Sequence, residues 1–269
     1  MNPTPHELAA RLVALYRPFP QVEAIALAGS LTSGAEPDSV SDIDLCVFTT
    51  AVIPLEERAA LVERSGGASR ADLNLDYWGF GDEWINAATG IEVDVVYWDT
   101  RWIEGMLDGV INKCQASLGY STAFWHTLRT AQVLFDRDSW LARLKQQCDR
   151  PYPEDLRRAV ITRNLAVLRA VIPSYTYQIE KAVRRGDLVS ANHRVAALLA
   201  SYFDVIFAYN RVLHPGEKRQ LEQAARLCPH LPENMAAQVT AVLQAAGQGD
   251  ARLLAEVNRL VDGLERLVN

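Results

Sequence analysis

Hydrophobic periodicity changes once along this chain, at CDRPYP over residues 148–153, and that switch constrains the fold more than any other feature. Before it, short alternating or β-branched runs are interleaved with helical patterns; after it, apolar residues recur almost throughout at helical spacing. Pro151 and Pro153 suit a linker better than an element interior. Two domains are therefore expected, over residues 1–148 and 149–269.

In the first half, Leu8, Leu12 and Leu15 predict a helix over 5–16, ended by Pro18 and Pro20. VEAIALAG over 22–29 reads as a buried strand, residues 42–49 as a second, and 54–64 as a helix with Leu55, Leu61 and Val62 on its apolar side. Residues 73–78 and 91–98 predict two more strands, expected to pair as neighbours across the polar stretch 79–90. Helices over 100–116 and 121–131 lead to VLFD at 133–136, a last short strand. The first half is thus expected to be α+β, a small mixed β-sheet with flanking helices. The second half predicts helices over 156–172, 175–185, 188–212, 217–227, 232–246 and 251–268, an all-α helical bundle.

At 49% hydrophobic residues there is material for packed cores, and a net charge of −6 gives no broad attraction to a polyanion, so nucleic acid is not an expected partner. Four scattered cysteines, Cys46, Cys114, Cys148 and Cys228, show no zinc spacing and read as reduced thiols. No stretch reaches membrane-spanning length without charges, and the N-terminal residues lack a secretory pattern; a cytoplasmic protein without a membrane partner is expected. The sequence leaves the oligomeric state open.

The chemistry concentrates in Gly29-Ser30, Gly34 and Ser41-Asp42-Ile43-Asp44-Leu45. A glycine ending a strand lets backbone amides approach phosphate oxygens, and the Ser30 hydroxyl beside it can donate another hydrogen bond. Asp42 and Asp44, two apart on a strand, point the same way and can ligate magnesium, which prefers oxygen donors. A third carboxylate is wanted for a pair of metals. In IEVDV over 91–95, Glu92 and Asp94 share a face; Asp94 lies deeper in the apolar run and is the stronger candidate, with Glu92 in reserve.

A GS turn, a gap, SDIDL and a later aspartate in a hydrophobic strand resemble the polymerase beta nucleotidyltransferase superfamily, especially its small bacterial branch of antibiotic and minimal nucleotidyltransferases. The resemblance covers residues 20–100. It implies a nucleoside triphosphate, ATP or another, bound near Gly29, Ser30 and Ser41, two magnesium ions on Asp42, Asp44 and Asp94, and transfer of the nucleoside monophosphate to a hydroxyl with release of pyrophosphate. YNRVLHPGEKR at 209–219 resembles a helical domain of unknown function that follows some bacterial nucleotidyltransferase domains. By analogy with the antibiotic-modifying relatives, Lys218 is the residue of this domain expected on the triphosphate. The antitoxin-type motif carries an arginine before its second glycine, where this chain has Ser33 before Gly34.

The acceptor is expected to be a small molecule with a hydroxyl, aminoglycoside-like by resemblance; a protein hydroxyl, giving AMPylation, and a non-catalytic binding module are the alternatives. A cationic acceptor would want acidic neighbours, and Glu36, Asp38, Asp76, Asp82, Glu83 and Glu180 are the pool. His126, His193 and His214 read as non-catalytic, Trp78, Trp84, Trp98, Trp102 and Trp125 mainly as core, and Lys181, Arg184 and Arg185 as a solvated helix end.

Overall fold

A computed structural model describes residues 4–29, 42–77, 79–249 and 251–269. The chain divides into two compact units, Met1–Leu107 with Thr127–Arg150, and Asp108–His126 with Pro151–Asn269.

The first unit is built on a mixed six-stranded sheet in the order β3-β4-β5-β2-β1-β6. Its strands are β1 (Val22–Leu27), β2 (Ile43–Thr49), β3 (Ala68–Leu75), β4 (Gly81–Asn86), β5 (Glu92–Asp99) and β6 (Gln132–Asp136). β2 and β5 run parallel and every other neighbouring pair antiparallel. The central strands β1 and β2 are buried almost throughout, whereas β3, an edge strand, is polar and largely exposed.

Helix α1 (Pro5–Tyr16) starts at a capping box in which Thr4 and Glu7 satisfy each other's backbone N–H groups, with Pro5 in the first turn. Its Leu8 and Leu12, with Leu61 and Val62 of α2 (Leu55–Ser65), pack on Ile43, Leu45, Val47, Val93 and Val95 and cover one face of the sheet. On the opposite face Phe48 meets Trp98 at 5.6 Å and Trp140 at 5.3 Å between ring centroids. Trp140 begins α5 (Trp140–Cys148), which the sequence did not predict, and Trp98 also meets Trp102 of α3 (Thr100–Ile111) at 6.2 Å.

The pairing of residues 73–78 with 91–98 does not hold, because β4 lies between β3 and β5 and bonds to both. β4 escaped detection because its buried positions are Asp82, Trp84 and Asn86, a half-polar inward face. Asp82 is compensated by the buried Arg58 guanidinium, and it also accepts from the Asn74 backbone N–H at 2.8 Å and the Tyr97 hydroxyl at 2.7 Å. Asn86 donates to the Ser65 carbonyl at 3.3 Å and accepts from the Thr89 hydroxyl at 3.0 Å. Satisfied polar groups can occupy a core face that periodicity assigns to apolar ones.

The second unit is helical. Its elements include α6 (Glu154–Leu165), continued by a π-helical turn at Ala166–Ala170, α7 (Tyr175–Arg184), α8 (Leu188–Tyr209), α9 (Gln220–Leu227), α10 (Met235–Ala246) and α11 (Ala251–Val268). α8 is the central helix: from Ser201 to Ala208 every residue is buried. Its Leu198, Phe203 and Ile206 share one core with Ile179 of α7, Val242 of α10 and Val257 and Leu260 of α11. The chain passes between the units three times, within α3, within α4 (Ala123–Thr130) and between Arg150 and Pro151. No helix among the described residues is long and apolar enough to cross a membrane.

Candidate functional site

Two of the sequence-predicted carboxylates, Asp44 and Asp94, fall on the sheet face opposite α1 and α2. Asp44, second in β2, is the register partner of Asp94, third in β5. Adjacent strands stand about 4.8 Å apart and paired residues project to the same side, so the two carboxylates emerge as neighbours. Both are half-buried. The Cys46 thiol, two residues beyond Asp44, responds to both: burial first, then the charges of Asp44 and Asp94, push its pKa up to about 12, so it stays protonated at neutral pH.

Gly29 closes this group from the end of β1. The last rung of the ladder there is the Ala28 N–H donating to the Asp44 carbonyl at 2.9 Å, and Gly29 follows at φ +65°. A Cβ on Gly29 would stand 1.8 Å from Asp44 Oδ2 and 2.5 Å from its Cγ. The position therefore requires glycine twice, for its left-handed backbone and for the carboxylate lying against its Cα. The sequence predicted a glycine for phosphate approach; its close neighbour in the structure is Asp44.

Asp42 is exposed and precedes the first residue of β2, so the strand pleat does not fix its direction. Among the described residues no three His, Cys, Asp or Glu side chains gather closely enough to hold a metal ion. The structure thus brings together Asp44 and Asp94 and leaves Asp42 outside the pair. The two paired carboxylates, offering only oxygen donors, suit a hard cation that completes its shell with water or phosphate oxygen. Ser30, Ser41, Ser33, Gly34, Glu36, Asp38 and Trp78 lie outside the described residues.

Of the acidic pool, register separates Glu83 from Asp82. Glu83 is the partner of Asp94 on β4, and Asp72 the partner of Glu83 on β3, so one row of carboxylates crosses four strands, Asp72, Glu83, Asp94 and Asp44. Glu83 is exposed on this face, and Asp72 is paired with Arg70 at 2.9 Å. Asp82 points to the other face and is committed to Arg58. Glu92 is exposed at the first position of β5. The alternation in GDEWIN was the available signal for Glu83, but without β4 it could not be read.

In the helical unit Lys218 is exposed on the segment between α8 and α9. His214, which the sequence left without a partner, anchors the turn before it. Its ring is fully buried between Tyr120 and Phe207, each 4.8 Å away between centroids; the His214 backbone N–H donates to Thr122 Oγ1 at 2.7 Å, and the ring Nδ1 accepts from the Gly216 N–H at 3.1 Å. Burial, then the neighbouring His126, lowers its pKa to about 4, so the ring is neutral at physiological pH. Asp204 on α8, also missed by the sequence reading, is buried and accepts from the Ser121 N–H at 3.1 Å, the Ser121 hydroxyl at 2.6 Å and Asn164 Nδ2 at 3.1 Å. Of the tryptophans, Trp84 and Trp125 are core residues.

Residues 122–219 match the model of a domain of unknown function, DUF4037, which includes the segment from His214 to Lys218. No curated protein matches the chain in sequence. Among solved structures, the chain is similar to a nucleotidyltransferase-like protein from Exiguobacterium sibiricum 255-15, with 16% identity and a TM-score of 0.45 over 95% of this chain and 71% of that one. It is also similar to an aminoglycoside 6-adenyltransferase from Bacillus subtilis, with 11% identity and a TM-score of 0.34 over 98% and 91% of the two chains. A third is the spectinomycin adenyltransferase from Enterococcus faecialis, solved with ATP and spectinomycin, at 12% identity and a TM-score of 0.32 over 97% and 99%.

Proposed function

We propose that this chain is a cytoplasmic, magnesium-dependent nucleotidyltransferase that moves a nucleoside monophosphate, AMP from ATP in the first instance, to a hydroxyl of a small-molecule acceptor. The observation that carries the reading is the in-register pair Asp44 and Asp94 with Gly29 packed on the Asp44 carboxylate. Two neighbouring half-buried carboxylates repel each other and lose hydration, costs that a bound cation offsets.

Asp44 and Asp94, with Asp42 as a further ligand, would hold magnesium, which when bound supplies charge neutralisation at the triphosphate. Gly29, Ser30 and Ser41 would border the phosphates and donate hydrogen bonds to their oxygens. The acceptor oxygen attacks the α-phosphorus in line, and the bond from that phosphorus to the oxygen bridging to the β-phosphate breaks. The hydroxyl proton passes to the Asp94 carboxylate. The exposed Glu83, beside Asp94 in the same row, favours a cationic acceptor, aminoglycoside-like in charge.

The test is transfer of label from α-phosphate-labelled ATP with magnesium, offered aminoglycosides in one arm and a protein mixture in another. Label on an aminoglycoside, lost in Asp44→Asn and Asp94→Asn that still fold, is the expected result. Label on polypeptide would move the reading to AMPylation. Nucleotide binding without turnover in either arm would move it to a binding module.

A further inference from the structure

The hairpin of α7 and α8 carries charges that the proposed transfer does not use. Gln178, Lys181, Ala182 and Arg185 recur at three- and four-residue spacing on α7 and its C-terminal cap, and so share one face. Ser190 and Arg194 are four apart on α8. With Asp187, they line one surface cavity of about 210 Å³.

Three cations thus surround a single opening in a chain whose net charge is −6. Among the described residues none of Lys181, Arg185 and Arg194 forms an ion pair; Lys181 Nζ lies 4.3 Å from the centroid of the Tyr177 ring. One nearby carboxylate, Asp187, lies in the cavity itself, close enough for its charge to act on Arg185. Glu180 faces Arg184 at 3.6 Å, outside the cavity, and Asp187 caps α8 by accepting from the Ser190 N–H at 3.0 Å. The negative end of α7 accounts for cations in its last turn, Lys181 and Arg184. It does not account for Arg194, near the start of α8, where the helix field gives a cation no advantage. Like charges across one groove repel, and an anion among them removes that cost.

We propose that this cavity binds a small diphosphate-class anion, with Lys181, Arg185 and Arg194 as its ligands. A guanidinium fork matches phosphate oxygens bidentately, and three cations from two helices match the several charges of linked phosphates better than those of one. All of these residues belong to the helical unit, so the site stands whether or not the reading of Asp44 and Asp94 does.

Calorimetry of the full chain with inorganic diphosphate in EDTA, which silences metal-dependent binding, tests the proposal. One saturable site is expected in wild type and in Asp44→Asn. Affinity should fall about tenfold in Lys181→Gln and in Arg194→Gln, and further in the double variant. Arg184→Gln, which removes the same charge outside the cavity, should bind as wild type does, and orthophosphate should bind more weakly than diphosphate. Circular dichroism of each variant verifies its fold. Absence of saturable binding, loss in Asp44→Asn, equal weakening by Arg184→Gln and Arg194→Gln, or tighter binding of orthophosphate would each overturn it.

Discussion

Gly29 is the residue on which backbone and chemistry meet. An alanine there would have to hold a left-handed backbone, at about 1–2 kcal/mol, and displace the Asp44 carboxylate that lies against the position. Gly29→Ala is therefore expected to lower the melting temperature modestly and nucleotide binding much more, since the carboxylate pair is disturbed directly; paired melting and calorimetry check it. Asp204 gives a second prediction. Burial raises its pKa from 3.8 to about 6 despite hydrogen bonds from Ser121 and Asn164 that lower it. A carboxyl with a raised folded-state pKa binds more protons folded than unfolded between those values, so its contribution to stability grows as pH falls from about 6 to about 4. His214, lowered from 6.5 to about 4, acts in the opposite direction over nearly the same range. The stability deficit of Asp204→Asn relative to wild type should widen on acidification from pH 7 to pH 4, by on the order of 2–3 kcal/mol; denaturant titrations at several pH values measure it, and a constant deficit would contradict it. That Asp44 and Asp94 project from one face of neighbouring strands was legible because period two fixes which side chains share a face, whereas the packing of Gly29 on the Asp44 carboxylate was not. Asp204 and Arg58 were not, since a buried charge is explained only by partners distant in sequence, Ser121 for one and Asp82 for the other.

At the scale of elements, β4 shows why alternation alone was insufficient. Its inward face holds Asp82 and Asn86, whose partners come from α2, β3, β5 and the turn after β4. Removing one member of the buried Arg58 and Asp82 pair strands the other, so Asp82→Ala should cost about 3–5 kcal/mol in urea denaturation. The segment before α4 carries a similar lesson. Residues 149–269 as a self-standing domain is the simplest reading of the proline-rich stretch, yet Asp204, Asn164 and His214 bond to Ser121, Gly119 and Thr122, which that fragment lacks. A fragment spanning 108–269 should therefore melt cooperatively and at higher temperature than one spanning 149–269. Equal melting curves would show that the loop contributes no stability.

At the scale of the whole molecule, the change in periodicity near residue 150 announced a sheet-based half and a helical half, and the fold has both. The charges are sorted within them. A row of carboxylates crosses the sheet, while three cations surround the cavity of the α7 and α8 hairpin, so a net charge of −6 conceals two local fields of opposite sign. The first of these bears the central claim, that Asp44 and Asp94 form a metal-dependent nucleotide site. Its most direct test is calorimetry of a non-hydrolysable ATP analogue against wild type, Asp44→Asn and Asp94→Asn, with magnesium and with EDTA. Binding that requires magnesium and disappears in both variants is the predicted result; binding of equal strength in the variants, or indifferent to EDTA, would contradict it.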